Sequence, residues 1–172
     1  MPRTYDDGEI WPYRGREVVL RIVDRLPPPV EDAPLRRNAV ALAPEGDVLL
    51  LAENSAERRA LCLRQWYTAE TENLARTLVP RWAKAIRVRP RLVDVGPAKT
   101  RWGSCSHTGR IFLNARLAML SDPVAEYVVV HELCHMKEMN HSKAFWNEME
   151  TALPGAAALR KKLREEERNA LL

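Results

Sequence analysis

Three of the four histidines in the chain lie between residues 131 and 141, at a spacing that could hold a metal ion. His131 and His135 are four residues apart, so on a helix both rings can reach the same ion from one face. Glu132 follows the first histidine, where its carboxylate can activate a metal-bound water without binding the metal. His141 offers a third ligand and leaves one coordination position open. This H-E-x-x-H pattern predicts a zinc-dependent hydrolase that binds one Zn²⁺ ion.

The histidines share the spacing of the metzincin pattern H-E-x-x-H-x-x-G-x-x-H, but Glu138 replaces the glycine of that pattern. In metzincins this glycine permits the tight turn that brings the third histidine back to the metal. We therefore expect the helix to run to about Met139 and to turn at Asn140, because asparagine tolerates a left-handed conformation better than most residues. The chain is not predicted to be a metzincin.

The helix that carries the first two histidines is predicted to have a defined start and a buried face. Asp122-Pro123 places an N-cap residue before a proline at the first helical position. The apolar run from Tyr127 to Val130 should bury the helix, which argues against ordinary surface histidines and supplies a dry wall for the site. Ser142 is expected to cap a second helix that ends at Leu153, and a charged helix should follow from residue 156.

Strands are predicted on both sides of a long helical region. Alternating and β-branched residues favour strands at residues 17–26, 38–43, 48–52, 92–95 and 110–113. The second and third of these should form a hairpin, since a short turn-like segment joins them. The proline-rich segment 27–34 is expected to be an exposed loop.

The helical region begins at Ser55, which can cap a helix that starts at residue 56. Its apolar face is marked by four residues at intervals of four, Leu74, Leu78, Trp82 and Ile86. Pro80 lacks a backbone donor and is expected to kink this helix or to begin another. We predict that residues 1–55 form the β-rich part of the same compact domain as a core at residues 56–172.

The composition is typical of a soluble globular protein, with 46% hydrophobic and 29% charged residues in a chain of 172. No apolar stretch approaches the ~18 residues that a membrane span requires. Residues 1–11 contain acids and lack the apolar segment of a secretory signal. The three cysteines are odd in number and widely spaced, which favours reduced thiols over a disulfide framework. These features predict a cytoplasmic protein with no membrane partner.

Basic residues are concentrated in residues 76–116, named here the basic segment. It contains ten basic residues and one acid, Asp94, although the net charge of the whole chain is only +4. Such a segment could attract nucleotides, nucleic acid or acidic peptides. Because the charges are widely spread, a solvated surface is the favoured interpretation.

Two blocks of sequence resemble the signature of the YgjP-like metallopeptidases. Residues 99–106 (KTRWGSCS) and 109–117 (GRIFLNARL) are similar to the family pattern T-R-W-G-S-C-S…G-x-I-x-L-N-x-R-L. Residues 131–135 (HELCH) and 140–146 (NHSKAFW) match the metal-site blocks of the family. The resemblance is strong from about residue 101 to residue 146, looser from residue 56, and weak before residue 55.

The resemblance implies an α+β, zincin-like fold similar to that of the SprT-like zinc peptidases. That fold would combine the N-terminal β-rich unit with a small mixed sheet and the helix that carries the H-E-x-x-H motif. It also implies that zinc is bound by His131, His135 and His141, and that Glu132 is the catalytic base.

In zincins an extended substrate typically lies along an edge strand above the active-site helix. Residues 110–114 are the candidate strand here, although Ile111 and Leu113 could equally pack in the core. The substrate-binding candidates are Arg101, Trp102, Gly103, Ile111, Leu113 and Asn114. An oxyanion stabiliser is also expected, with Tyr127, His107 and Asn114 as unranked candidates.

The leading function is a metallopeptidase that acts on a peptide or protein. A metal-dependent nucleoside-triphosphate pyrophosphatase is an alternative, since that activity is suggested for some YgjP-like proteins and the basic segment would suit a triphosphate. The chain has no phosphate loop of the Walker type. A nucleic-acid-associated, SprT-like protease is a third possibility, with the basic segment on phosphates. A binding module with a structural metal would leave Glu132 unexplained.

Overall fold

The computed structural model describes residues 3–27, 39–43, 45–168 and 170. Within these ranges the chain forms two small sheets and four α-helices, which confirms the predicted α+β class. Residues 28–34, nearly all of the predicted proline-rich loop, lie outside the described residues. Asn38, at the start of the predicted hairpin, and Pro44, in its turn, also lie outside them.

The N-terminal sheet has the strand order β1-β2-β4-β3. Its strands are β1 (Ile10–Tyr13), β2 (Arg16–Ile22), β3 (Val40–Leu42) and β4 (Val48–Leu51). Strands β3 and β4 pair antiparallel, so the predicted hairpin is confirmed. Strand β2 is the strand predicted at residues 17–26, but it ends earlier and pairs with β1, which was not predicted. Strand β1 is only four residues long and contains Pro12, a residue that argues against a strand when sequence alone is considered.

Helix α1 (Ala56–Ile86) starts directly after Ser55, as predicted, and is 31 residues long. It continues through Pro80, so no second helix begins there. Pro80 has no N–H to donate to the carbonyl of Arg76, four residues earlier in the helix. Both residues are exposed, so water can donate a hydrogen bond to that carbonyl. The buried face of this half is Ala75, Val79, Ala83 and Ile86. Of the predicted apolar face, only Ile86 belongs to this buried face. The other three predicted residues, Leu74, Leu78 and Trp82, are half-buried.

The N-terminal sheet packs on the first half of α1. The contact is formed by four aromatic residues of the core, Trp11, Tyr13, Trp66 and Tyr67. The Tyr67 hydroxyl donates a 2.7 Å hydrogen bond to the carbonyl of Pro12, and the Tyr13 hydroxyl donates a 2.6 Å hydrogen bond to Glu70. The β-rich part and α1 therefore share one hydrophobic core.

The second sheet consists of β5 (Leu92–Gly96), β6 (Gly103–Cys105) and β7 (Arg110–Asn114), in the order β5-β7-β6. Strand β7 pairs parallel with β5 and antiparallel with β6. It is the central strand, so the prediction that residues 110–114 form an edge is wrong. The edge strands are β5 and β6. Strand β6 has three residues and is too short to show a periodic pattern.

Helix α2 (Asp122–Cys134) lies between the other elements and contacts α1, β6 and β7. It also contacts α3 (Lys143–Ala152) and α4 (Ala156–Glu166). Its N-cap is Ser121, one residue before the predicted cap. Ser142 caps α3 as predicted, because its hydroxyl accepts a hydrogen bond from the amide of Phe145. Among the helices described, none is both long and apolar enough to cross a lipid bilayer.

Candidate metal centre

Helix α2 and the turn that follows it bring three histidine rings together. Nε2 of His131 lies 3.1 Å from Nε2 of His135 and 2.9 Å from Nε2 of His141. Two nitrogens bound ~2.0–2.1 Å from a tetrahedral zinc ion are roughly 3.3 Å apart, so the observed spacing is close to that of a ligand set. The possible ligand atoms of all three side chains lie within 4.8 Å of one another. The donor set therefore fits one metal ion with three imidazole ligands.

Contacts around the rings orient two of the histidines. Nδ1 of His135 lies 3.0 Å from the carbonyl oxygen of Glu138. A proton donated from Nδ1 to that carbonyl leaves Nε2 free to bind a metal. The His135 ring stacks on the fully buried Phe145 at 4.5 Å, and the His141 ring stacks on Trp146 at 5.8 Å. Helix α3 thus holds the rings that approach the metal position.

The turn between α2 and His141 differs from the prediction. Helix α2 ends at Cys134 rather than at about Met139. Its last turn tightens, because the amide of Met136 donates to the carbonyl of Leu133 at 3.1 Å. In the described part of the chain, the non-glycine residues with positive φ are Tyr5, Arg14, Ala39 and Arg87. The predicted left-handed turn at Asn140 is therefore wrong, and the tightened turn makes a glycine at position 138 unnecessary.

Burial sets the protonation of the histidines. Desolvation, helped by the two neighbouring histidines, lowers the pKa of His131 to about 3. Burial also lowers the pKa of His135. Neutral imidazole is the form that binds a metal. At neutral pH these two side chains are therefore already in the form that binds.

Glu132 lies directly against the edge strand. Its side chain is buried, and this desolvation raises its pKa to about 8 in spite of the nearby positive charge of Arg101. A Cβ atom on Gly103 would lie 2.7 Å from both Cγ and Oε1 of Glu132, so any other residue at that position of β6 would displace the Glu132 side chain. The main chain of β6 and the Glu132 side chain are thus in contact. An acid–base group would occupy this position if a peptide were bound along β6.

A cavity of about 760 Å³ opens beside the three histidines and Glu132. Three of the predicted substrate-binding residues line it, namely Arg101, Trp102 and Gly103. Tyr127 also lines it, whereas the oxyanion candidate His107 lies in an exposed turn. The cavity is therefore bordered by α2 on one side and by the start of β6 on another.

The other three predicted substrate-binding residues do not line the cavity. Ile111, Leu113 and Asn114 are fully buried, because β7 is central in its sheet. The side-chain amide of Asn114 donates hydrogen bonds to the carbonyls of Ala98 and Arg101 at 2.9 and 2.7 Å. Asn114 thus supports the loop before β6 from inside the fold.

The last helix also contributes to the cavity, which the sequence pattern did not predict. The cavity is also lined by Trp146 of α3 and by residues of α4 and its end, Arg160, Leu163, Arg164 and Glu167. The alternation of charges in α4 indicated only a solvated helix. Its position over the cavity depends on packing against α2, which no local pattern shows.

Two of the ten basic residues of the basic segment form ion pairs within the described part of the fold. Arg81 pairs with Glu126 at 3.1 Å, and Arg110 pairs with Asp94 at 2.6 Å. Arg116 donates hydrogen bonds to backbone carbonyls instead. Of the ten basic residues of the segment, Arg101 lines the cavity.

The fold of the chain is similar to that of solved metallopeptidases. The chain is similar in structure to the metallopeptidase zymogen of Pyrococcus abyssi abylysin, with a TM-score of 0.50 and 23% identity over 59% of this chain and 99% of that chain. The metallopeptidase zymogen of Methanocaldococcus jannaschii jannalysin matches with a TM-score of 0.46 and 19% identity, over 58% of this chain and 89% of that chain. The similarity to the abylysin zymogen supports the fold alone.

Residues 1–166 match the family model of the YgjP-like metallopeptidase domain. The chain therefore belongs to the YgjP-like metallopeptidases, and the resemblance described from its motifs is confirmed. No curated protein matches the chain. Family membership confirms the prediction of a metallopeptidase and does not favour the pyrophosphatase or the nucleic-acid-associated protease.

Proposed function

We propose that this metallopeptidase hydrolyses a peptide bond with one Zn²⁺ ion held by His131, His135 and His141. The observation that supports this most directly is the convergence of three Nε2 atoms beside a buried carboxyl and an open cavity. When bound, zinc would supply Lewis acidity, which polarises a carbonyl oxygen and makes a water molecule more acidic.

We assign the proton transfers to Glu132. Its carboxylate would take a proton from the attacking water and return it to the leaving amine. Tyr127 is the proposed donor to the oxyanion, because its ring lies 5.9 Å from that of His131 and it lines the cavity. Burial raises the pKa of the Tyr127 hydroxyl, which keeps the proton available for donation.

We propose that β6 binds the main chain of the substrate. The carbonyl of Trp102 accepts a 2.8 Å hydrogen bond from β7, and the amide of Ser106 donates a 2.9 Å hydrogen bond to β7. In an antiparallel ladder the residues at alternate positions, Gly103 and Cys105, then direct their N–H and C=O groups to the free edge. An extended peptide can pair with that edge by strand addition, and at Gly103 it would lie close to Glu132.

Gly103→Ala is expected to lower kcat about 100-fold while zinc remains bound. The added Cβ would push the Glu132 carboxyl out of position, and displacement of a catalytic group by ~1 Å can cost that factor. Gly96→Ala is the matched control, since its Cβ would lie 3.4 Å from the nearest atom, the ring of Phe112. Steady-state kinetics and zinc content measure both effects. Equal activity of the two variants would contradict a role for Gly103.

The proposed activity is tested by a parallel substrate screen with the purified protein. We expect about one zinc ion per chain by elemental analysis, and cleavage of an unstructured peptide library followed by mass spectrometry. A chelator should stop the cleavage, and added zinc should restore it. Nucleoside triphosphates, supplied in the same assay, should stay intact. Hydrolysis of triphosphates without any peptide cleavage would overturn the proposal.

We further propose that residues 1–55 and 56–172 act as one domain in the cytoplasm. The shared aromatic core between the N-terminal sheet and α1 supports the first part. Three free cysteines, Cys62, Cys105 and Cys134, support the second, because thiols are kept reduced in that compartment.

A further inference from the structure

Two arginines of α4 line the wall of the active-site cavity. Arg160 and Arg164 are one helical turn apart, and both are exposed. Neither forms an ion pair with an acidic side chain in the described part of the chain. Two arginines without an acidic partner among the described residues thus line the cavity in which a substrate would lie.

Arg160 is also close to the metal position. Its Cζ atom lies 4.8 Å from the centre of the Trp146 ring, and that ring stacks on His141. Arg160 and the third histidine, His141, therefore contact the same indole ring. A group bound by Arg160 would lie near the scissile bond of a peptide on β6.

The remaining charges of the cavity favour an anion. Its acidic residues are Glu132, which faces β6, and Glu167, which accepts a 3.3 Å hydrogen bond from the indole of Trp102. Two other acids lie near the end of α4, Glu165 and Glu166, and neither lines the cavity. Glu166 accepts hydrogen bonds from Ser121 and pairs with Lys162. A third arginine, Arg101, lines the cavity near β6. The α4 wall itself therefore carries uncompensated positive charge.

We propose that Arg160 and Arg164 bind a carboxylate of the substrate, so that the enzyme prefers peptides with an acidic group close to the cleaved bond. This rests on the proposed peptidase function. The fork of a guanidinium matches the geometry of a carboxylate. The carboxylate can come from an aspartate or glutamate side chain or from the C-terminus of the peptide.

Three peptides of one length distinguish these sources. One has an internal glutamate and both ends blocked, one has glutamine and a free C-terminus, and one has glutamine and both ends blocked. We expect kcat/KM for at least one of the first two to exceed that of the third about tenfold, through KM. The advantage should shrink as salt is added, because the arginines are exposed. Equal kcat/KM for all three peptides would overturn the proposal.

Variants locate the effect on α4. Arg160→Gln and Arg164→Gln should each remove most of the preference, measured as the ratio of kcat/KM for a peptide with a carboxylate to kcat/KM for the neutral peptide. Lys161→Gln removes the same charge from α4 at a residue that does not line the cavity, and it should keep the preference. Loss of the preference in Lys161→Gln to the same extent would overturn the assignment. Arg164→Glu should shift the preference towards peptides with lysine.

A binding measurement separates this inference from the proposed function. Isothermal titration of Glu132→Gln with the same peptides should show about tenfold tighter binding of a peptide with a carboxylate. If the wild type cleaves none of the peptides and the variant binds all of them equally, both proposals are contradicted. Cleavage by the wild type with equal binding of all peptides would overturn the carboxylate site alone. Tighter binding of the peptide with a carboxylate, without cleavage by the wild type, would overturn only the peptidase function.

Discussion

Glu132→Gln is expected to lower kcat for peptide hydrolysis about 10²–10⁴-fold while the zinc content stays at the wild-type level. Glutamine keeps the shape of the side chain against Gly103 but cannot take a proton from water. The histidine rings do not depend on the Glu132 charge for their position, because Phe145 and the Glu138 carbonyl orient His135. Kinetics on a cleaved peptide and elemental analysis of the same samples measure the result.

Glu126→Gln is the matched control, because Glu126 lies on the same helix and pairs with Arg81 and Trp82 away from the cavity. It should keep nearly full activity. If Glu132→Gln retained the activity of this control, the base would have to be another residue. Loss of zinc from Glu132→Gln would instead indicate that the carboxyl binds the metal.

The same substitution tests the burial of Glu132 in the metal-free protein. The folded-state pKa of about 8 lies above the ordinary 4.5, so between these values the folded state holds a proton that the unfolded state releases. Raising the pH through this window therefore destabilises the wild type but not Glu132→Gln. We expect the free energy of unfolding of the wild type by urea, relative to that of Glu132→Gln, to fall by ~3–4 kcal/mol from pH 5 to pH 8, since each pH unit between the two pKa values is worth about 1.4 kcal/mol. A difference that stays constant with pH would contradict a desolvated carboxyl.

His141→Ala is expected to weaken zinc binding at least about 100-fold and to abolish peptidase activity with the fold intact. Removal of a group that only hydrogen-bonds to a metal ligand can lower metal affinity about 10- to 100-fold, so removal of a ligand itself should lower it more. His141 is exposed and follows the end of α2, so its removal should disturb the core little. Competition with a chelator of known affinity measures binding, and circular dichroism monitors the fold.

His107→Ala is the control for this variant. His107 is the remaining histidine of the chain, lies in an exposed turn and does not line the cavity. It should bind zinc and cleave peptides like the wild type. Tight zinc binding and full activity in His141→Ala would exclude His141 as a ligand.

The parts of the site that the sequence predicted are those set by short-range rules. The spacing of His131 and His135 follows from the pitch of one helix, and the start of α2 follows from a proline at its first turn. The cap of α3 at Ser142 depends on a hydrogen bond three residues away. Each of these features can be recognised from neighbouring residues.

The parts that the sequence did not predict depend on pairing and packing between distant residues. Leu113 is buried because two strands flank β7, and a strand cannot show from its own residues whether it is central. Strand β6 forms by pairing with β7, and it can lie against Glu132 of α2 because Gly103 has no side chain. Arg160 reaches the cavity because α4 packs on α2.

The shortness of β6 has a consequence for folded proteins as substrates. A partner for its edge must present a few residues of extended main chain whose amides and carbonyls are not already bonded in a helix or sheet. Proteins expose such segments only when they open locally, and the free energy of that opening varies along every fold. When opening and closing are fast compared with cleavage, the rate of degradation follows the population of the opened state. We therefore expect the lifetime of a folded protein in contact with this enzyme to depend on how often its weakest segment unfolds.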